Sequence, residues 1–502
     1  MIETPKTRQS IDWWLVGTYF LLVIIGWVNI YAAVHTSEAG SIFAWSSRAG
    51  KQFVWILTAL GLAGFILFVL PPRLWEEFCI PFYVFVVGLL VLVIFVSSNV
   101  KGSHSWFDLG PIRFQPAEIS KISTSLLLSY VLSQPGFKIT RLKDFFLACF
   151  VIGLPMLVIV AESETGSALV YTGFIFVLYR SGLSGWWLGL VGLFIGLFVG
   201  TLTIGPFWSL MTLIGVLVLI NLDHDTRRRL LLGGGFMLAT VWIPRVWGWV
   251  QSRVAAHLEW MSLRAWVPEA GDTGHYFWAF VMDIDPVHIL LALAVITLPF
   301  LLVRAYKEWD SGLAISVAAF VVGVLLVFST EYIFNHVLEA HQKSRIEVLL
   351  GMKDDLSDAG YNVNQSKIAI GSGGLFGKGY LHGTQTTFGF VPEQSTDFIF
   401  CTVGEEWGFV GCLAVILLYV FLITRLVLDA ERSRGPFTRT YGYCVAACVF
   451  MHLFINVGMT IGLMPVIGIP LPLLSYGGSS LWAFTILIFI FLALYRDEKK
   501  YF

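Results

Sequence analysis

The stretch Phe82-Tyr-Val-Phe-Val-Val-Gly-Leu-Leu-Val-Leu-Val-Ile-Phe-Val96 decides the fold class of this chain of 502 residues. As a helix it has no polar stripe that could face water, and Leu21–Val34 has the same character. A helix needs about 20 mostly apolar residues to cross a bilayer, so these runs predict membrane-spanning helices. A membrane β-barrel would instead alternate apolar and polar residues in segments of about 10, and that pattern is absent.

The composition of the whole chain points the same way. Hydrophobic residues make up 57% and charged residues 13%, and the mean hydropathy is +0.78. Soluble chains have about 25% charged residues. A soluble enzyme and a disordered chain are therefore excluded, and the net charge of -1 gives no bulk attraction to nucleic acid. Ile11–Val34 is too long for a signal peptide and lacks a small-residue cleavage site, so we expect it to be the first span.

Apolar length predicts an all-α polytopic membrane protein of about fourteen spans. These are 12–34, 52–70, 79–97, 116–133, 144–161, 167–182, 184–204, 206–221, 229–248, 286–304, 312–336, 408–428, 439–461 and 474–495. Twelve spans is the alternative, because the hairpin at Ile204–Pro206 is weakly marked and 167–182 is short. The distribution of Lys and Arg predicts that both termini are cytoplasmic and that residues 337–396 form a large outer loop.

The span pattern divides the chain into four predicted regions. They are an N-terminal transmembrane core (1–183), a transmembrane region (184–336), the outer loop (337–396) and a C-terminal transmembrane core (397–502). Within 184–336, residues 249–285 predict either an amphipathic helix at the outer interface or a solvated loop. The six cysteines lie in apolar runs without metal-ligand spacing, so we expect them to be structural.

Two clusters of ionisable residues interrupt the predicted spans. Glu118 and Lys121, in Phe114-Gln-Pro-Ala-Glu-Ile-Ser-Lys121, share one face of the fourth span. Charges within a span are costly and usually line a cavity, although a purely structural ion pair is the alternative. Glu162 and Glu164 lie in Glu162-Ser-Glu-Thr-Gly-Ser167. They predict either a site for a cation or sugar hydroxyls, or a solvated turn that caps the sixth span.

The outer loop and the segment before the last span carry two further clusters. The run Ile370-Gly-Ser-Gly-Gly-Leu-Phe-Gly-Lys-Gly379 can approach a ligand closely and offers backbone N–H groups to oxyanions. Asp397 stands where the loop re-enters the membrane, so it is a candidate general base or a helix N-cap. Met464–Ser480 holds three prolines within eight residues, which predicts an irregular re-entrant turn.

Taken together, these segments resemble the SEDS family of shape, elongation, division and sporulation proteins. The matching segments are Phe114–Lys121, Ala369–Gly374, Gly377–Gly379, His382–Gln385, Pro392–Glu393, Thr396–Phe400, Gly404–Glu406, Pro470–Pro472 and Ser475–Gly478. The resemblance extends over about residues 12–180 and 341–495. Within it, Gly383-Thr-Gln385 favours the elongation branch of the family. The chain departs from the family pattern at Ser105, Ala117 and Glu162–Ser167, which leaves the role of the last segment open.

The resemblance implies a peptidoglycan glycosyltransferase that polymerises lipid II on the outer face of the bacterial cytoplasmic membrane, for cell elongation and rod shape. It also implies a class B penicillin-binding protein and other elongation-complex membrane proteins as partners. The family's essential aspartate falls on Asp397, and its paired Glu and Lys fall on Glu118 and Lys121. The family has about ten spans, so the resemblance places an insertion of four spans within 184–336.

The expected reaction needs one carboxylate base and cations that stabilise a departing diphosphate. Asp397 is the predicted base, and Lys121, Arg345 and Lys378 are the predicted cations. The full set of predicted substrate-binding residues is Glu118, Lys121, Arg345, Gln365, Ser366, Lys378, Gln385, Glu393 and Ser475. A divalent cation could also stabilise the diphosphate, but the sequence shows no recognisable set of metal ligands. The alternatives are a lipid II flippase and a non-catalytic scaffold for a transpeptidase.

Overall fold

The computed structural model describes residues 11–35, 42–45, 47–97, 105–108, 113–220, 242–263, 285–308, 311–338, 340–350 and 359–501. This part of the chain is helical, apart from the two-residue strands β1 (Phe107–Asp108) and β2 (Arg113–Phe114), which pair antiparallel. Ten of its helices are long and apolar enough to cross a membrane. The predicted helical, multi-pass class is confirmed, and the count of fourteen spans stays a prediction.

The chain divides into two compact units, of which the first comprises the residues before Trp186 and those from Ser344 onward. The described residues of its N-terminal part form eight helices, with a 3-10 turn at Tyr171–Gly173 between the last two. They are α1 (Trp13–Val34), α2 (Arg48–Phe68), α3 (Arg73–Glu77), α4 (Cys79–Val96), α5 (Pro116–Ser133), α6 (Leu142–Ala161), α7 (Thr165–Val170) and α8 (Phe174–Arg180). The predicted span 167–182 is thus two short helices joined by a tight turn.

The second unit, Trp186–Lys343, has its own apolar core. Its helices are α9 (Trp186–Ile204), α10 (Pro206–Ile220), α11 (Ile243–Leu263), α12 (Pro286–Glu308) and α13 (Ser311–Tyr332), which continues as a π-helical turn at Ile333–Val337. Leu197, Leu210, Leu213 and Val327 are buried where α9, α10 and α13 meet. The role of this unit as an insertion stays a prediction.

The first unit resumes after the second, and its described residues there form six helices. They are α14 (Ala340–Leu349, which crosses the unit boundary), α15 (Ala359–Ser372), α16 (Thr384–Thr387), α17 (Ile399–Arg432), α18 (Pro436–Thr460) and α19 (Gly478–Tyr501). Helix α18 packs against α5, α17 and α19, and α2 packs along α19. Most residues of α5 and α18 are buried, so these two helices form the centre of the unit.

Several helices begin earlier than the apolar runs predicted. Helix α2 begins at Arg48, where the Ser47 hydroxyl accepts the Gly50 N–H at 3.0 Å. Helix α18 begins at Pro436, a residue that suits a first helical turn. Hydropathy marks only the apolar stretch of a helix, whereas helical hydrogen bonding continues into the polar residues that flank it.

The boundary predicted between a ninth span (229–248) and an interfacial segment (249–285) stays a prediction. One helix, α11, runs from Ile243 to Leu263 across that boundary, because no residue after Pro244 breaks it. Residues 221–241 and 264–284 lie outside the described residues. The location of α11 at an interface stays a prediction.

Helix α17 contains a kink at Gly408, where φ is 66° and ψ is -162°. The N–H groups of the next two residues, Phe409 and Val410, donate to the carbonyls of Gly374 and Leu375 at 2.9 and 3.1 Å. The glycine-rich turn after α15 thus supplies the hydrogen bonds that the kink removes from the helix. This docks residues 373–379 onto the start of α17.

Candidate active site

Asp397 lies directly before α17, and its backbone is held from α18. Phe398 is the N-cap residue of α17 and makes no side-chain cap bond, so Asp397 is not the N-cap. The fully buried Asn456 amide donates to the carbonyl oxygens of Asp397 at 2.8 Å and of Ile469 at 2.7 Å. One side chain therefore ties the candidate base to the segment between α18 and α19.

The segment between α18 and α19 is irregular, as its prolines predicted, and it lies against Asp397. Gly468 has φ of +76°, and a Cβ at this position would be 3.4 Å from Asp397 Oδ2. The Ser475 hydroxyl donates to Thr396 O at 2.6 Å and accepts the Leu471 N–H at 2.8 Å. The Asp397 carboxylate thus lies beside a glycine, and its backbone is fixed on both sides.

The predicted Glu118–Lys121 pair is present in α5. Lys121 Nζ is 2.9 Å from Glu118 Oε1, and both side chains are buried. The same ammonium is 2.8 Å from His452 Nε2 on α18 and 5.2 Å from the centre of the Phe484 ring. His452 Nδ1 is 3.1 Å from Pro470 O. Because Lys121 is 0% exposed, this pair is enclosed by protein.

Glu162 and Glu164, in the turn between α6 and α7, do not form a solvated cap. Glu162 is 1% exposed, and neither of its carboxylate oxygens has a hydrogen-bond partner among the described residues. Glu164 accepts a hydrogen bond from Gln115. Burial raises the pKa of Glu162 to about 8 and that of Glu164 to about 7. Both shifts are in the direction of the neutral acid, because burial removes water from the charged form.

Lys378 and Gln385, predicted to bind substrate, surround the carboxylate of Glu405 at the start of α17. Lys378 Nζ is 2.7 Å from Glu405 Oε1, and the backbone N–H groups of Gln385 and Thr386 donate to the same carboxylate at 2.9 and 2.8 Å. Glu405 is fully buried. These contacts fold the segment before Asp397 around one carboxylate, so the two predicted residues also have a structural role.

The other predicted residues occupy separate positions. Glu393 Oε2 is 4.0 Å from the Arg48 guanidinium, which donates to Ser395 Oγ at 2.6 Å. The Ser366 hydroxyl donates to Thr460 O at 2.9 Å. Gln365 lies on α15 and Arg345 on α14. In that same part of the chain, no group of three His, Cys, Asp or Glu side chains could hold a metal ion.

The residues that sequence reasoning missed are His452, Asn456, Glu405 and Arg48. His452 and Asn456 were detectable, because both are polar residues in the middle of an apolar run. Their spacing of four residues places them on one face of a helix. The sequence does not reveal that His452 contacts Lys121 and that Asn456 contacts Asp397, because these partners are distant in the chain.

The fold and the site define a polytopic helical membrane protein with a buried ion pair and an aspartate at the start of a kinked helix. The family model FTSW_RODA_SPOVE, described as cell cycle protein, matches residues 12–213 and 287–500. The chain therefore belongs to this family, which is the SEDS family that its motifs resemble.

Curated relatives align along nearly the whole chain. The peptidoglycan glycosyltransferase MrdB of Escherichia coli (strain K12) is 29% identical over 483 residues, covering 96% of this chain and 94% of the relative. The peptidoglycan glycosyltransferase RodA of Treponema pallidum (strain Nichols) is 30% identical over 480 residues, covering 94% of this chain and 95% of the relative.

Solved structures share the fold. A chain from a study titled "Structural coordination of polymerization and crosslinking by a peptidoglycan synthase complex" superposes with a TM-score of 0.57 at 22% identity, covering 97% of this chain and 98% of the other. The rod shape determining protein RodA of Thermus thermophilus gives a TM-score of 0.53 at 21% identity, covering 98% of this chain and 99% of the other. At these identities the likeness concerns the fold alone.

Proposed function

We propose that this protein polymerises lipid II into glycan strands at the outer face of the bacterial cytoplasmic membrane, with Asp397 as the catalytic base. The chain is a peptidoglycan glycosyltransferase, the activity named for its whole-length relatives. The observation that carries the proposal for Asp397 is its position. The half-buried Asp397 side chain lies two residues before α17 and beside Gly468, and the Asn456 amide donates to its backbone carbonyl.

The proposed reaction is an inverting displacement at the anomeric carbon of a lipid-linked MurNAc diphosphate. The C4 hydroxyl oxygen of an acceptor sugar forms the new bond to that carbon, and its proton passes to the Asp397 carboxylate. The bond from the anomeric carbon to the diphosphate oxygen breaks, and the diphosphate leaves with the electron pair. Since diphosphate is already a good leaving group, one positioned base suffices and no dedicated acid is required.

The remaining roles follow from charge and location. Lys378 and Arg345 are the proposed cations for the departing diphosphate, and Gln365, Ser366, Gln385, Glu393 and Ser475 are proposed to shape the acceptor side of the site. Lys378 is part-exposed beside Glu405, so it can reach a ligand without leaving its buried partner uncompensated.

The membrane arrangement completes the proposal. The protein is a multi-pass membrane protein, and we place both of its termini in the cytoplasm and residues 337–396 with Asp397 on the outer side. A class B penicillin-binding protein would cross-link the strands made there. Residues 184–336 are proposed to be an insertion into the ten-span core of the family.

Polymer formation by the purified protein tests the function. Wild type, Asp397→Asn and Asp397→Glu are incubated with lipid II, and glycan strands are separated by length. We expect Asp397→Asn to lower the polymerisation rate about 10²–10⁴-fold, the usual contribution of a positioned base. Asp397→Glu should also be slow, because one more methylene moves the carboxylate out of position.

Two controls decide between the competing functions. Thermal stability and lipid II binding of Asp397→Asn should stay close to wild type, because asparagine keeps the shape of the aspartate side chain. Near wild-type polymerisation by Asp397→Asn would remove Asp397 from the role of base. Movement of lipid II across vesicle membranes without polymer from the wild-type protein would favour a flippase instead.

A further inference from the structure

We propose that His452 and Asn456 on α18 are positioning residues for Asp397, and that Lys121 acts through His452 rather than by contact with substrate. This inference rests on the proposed function. His452 and Asn456 lie outside the motif segments that carry the family resemblance, and the inference assigns α18 the role of holding the segment that contains Asp397.

The first step is the state of Lys121. An ammonium group has three protons. Three groups lie around the Lys121 ammonium: Glu118 Oε1 at 2.9 Å, His452 Nε2 at 2.8 Å and the Phe484 ring, whose centre is 5.2 Å away. With no exposed surface and all three donors engaged, Lys121 has no proton to offer a diphosphate.

The second step is the tautomer of His452. Its Nδ1 is 3.1 Å from Pro470 O, and a carbonyl oxygen can only accept, so Nδ1 carries the proton. In the neutral ring Nε2 is then the acceptor, which is what the Lys121 ammonium requires. The two contacts are mutually consistent, and together they fix the orientation of the ring.

The third step joins His452 to Asp397. His452 and Asn456 are one helical turn apart, and they hold the adjacent carbonyls of Pro470 and Ile469. Asn456 uses its second N–H to hold the carbonyl of Asp397. A chain of direct contacts therefore runs from the buried ion pair, through α18, to the backbone of the base.

A positioning role predicts a specific kinetic pattern. Displacement of a catalytic group by about 1 Å can cost about 10²-fold in rate, with little effect on binding. We expect His452→Leu and Asn456→Ala to lower kcat for lipid II polymerisation about 10- to 100-fold, and to change KM less than about threefold. His452→Asn keeps an N–H donor near the position of Nδ1, so we expect it to restore most of kcat.

The experiment measures initial polymerisation rates against lipid II concentration for wild type and these three variants, together with thermal stability. Thr440→Val is the matched control. It removes a buried hydroxyl that donates to Pro436 O on the same helix, three turns from His452, and should leave kcat unchanged. If His452→Leu does not yield folded protein, Asn456→Ala and His452→Asn decide the question.

Two results would overturn the inference. One is a wild-type kcat in His452→Leu or Asn456→Ala. The other is a fall in kcat accompanied by an equal rise in KM, which His452→Asn does not relieve. A wild-type protein that forms no polymer would instead refute the proposed function, so the two failures are distinguishable.

Discussion

Lys121 illustrates how a charge is accommodated inside this bundle. A cation at the centre of a span costs a few kcal/mol on insertion scales. Here a carboxylate, an imidazole nitrogen and an aromatic face surround it. Each of these contacts involves a different part of the chain, so the ammonium also joins α5, α18 and α19.

This arrangement predicts the result of breaking the pair. Lys121→Met leaves the Glu118 carboxylate buried and unpaired, which typically costs about 3–5 kcal/mol. The double change Glu118→Gln with Lys121→Met removes both charges and should recover most of the stability but not the polymerisation rate, because His452 loses its donor. Thermal unfolding and rate are measured on the same preparations.

A surface pair is the matched control for that experiment. Arg180 and Glu431 also form an ion pair, but their side chains are 55% and 38% exposed. Arg180→Gln should therefore change stability by less than about 1 kcal/mol. Equal costs for Lys121→Met and Arg180→Gln would contradict the account of Lys121 given above.

The Glu162 carboxyl predicts a pH dependence of stability. Its pKa in the folded chain is about 8, above the ordinary value of 4.5. The folded chain therefore keeps a proton that the unfolded chain releases, and the free energy of unfolding falls as pH rises from about 4.5 to about 8. Glu162→Gln mimics the neutral acid, so the variant should be more stable than wild type at pH 8.5, by an amount on the order of a few kcal/mol.

Unfolding curves at pH 5 and pH 8.5 provide the measurement. Wild type should lose more stability than Glu162→Gln between these two values. The same loss in both proteins would mean that Glu162 is ionised in the folded chain, and that a cation or another group compensates it.

At the scale of an element, the kink of α17 at Gly408 sets the direction of the helix that follows Asp397. The backbone angles there are accessible essentially to glycine alone, and a side chain would also overlap the backbone of Gly377. Gly408→Ala should thus cost about 1–3 kcal/mol in stability and lower the polymerisation rate.

Gly88 offers the control for this substitution. It lies in α4, and a Cβ there meets no atom within 4 Å. Gly88→Ala should be neutral or slightly stabilising, because alanine favours a helix over glycine. If both alanine variants behave alike in thermal unfolding, the kink has no particular requirement for glycine.

Helix boundaries show what the sequence can and cannot predict for this protein. Apolar length predicted α1, α4 and α6 to within a few residues, because a helix that crosses a bilayer must be apolar over that length. The nine residues before Gly408 belong to α17 but were not predicted to be part of it, because a glycine inside a helix resembles a helix boundary.

In the site, the i, i+3 spacing predicted the Glu118–Lys121 pair. The contact of Lys121 with His452, 331 residues later, depends on how helices pack.

At the scale of the whole molecule, two compact units are built from different parts of the chain. The unit that carries Asp397, Lys121 and His452 is formed by the two ends, and Trp186–Lys343 lies between them in sequence. The family model matches into this middle region up to residue 213 and resumes at 287. The segment without a family match is thus shorter than the predicted insertion of 184–336.

The number of membrane crossings in the middle region determines on which side of the membrane Asp397 lies. A topology experiment therefore tests the site as well as the span count. Arg227–Arg229 and the pair Arg304 and Lys307 are basic clusters that the positive-inside rule assigns to the cytoplasm. Reporters fused after Arg229 and after Lys307 should be cytoplasmic, and one fused after Ser357 should be external. An even number of inserted spans keeps the segment before Asp397 on the outer face, where its proposed substrate is. A cytoplasmic signal at Ser357 would place Asp397 on the wrong side for lipid II polymerisation and would require a different span count.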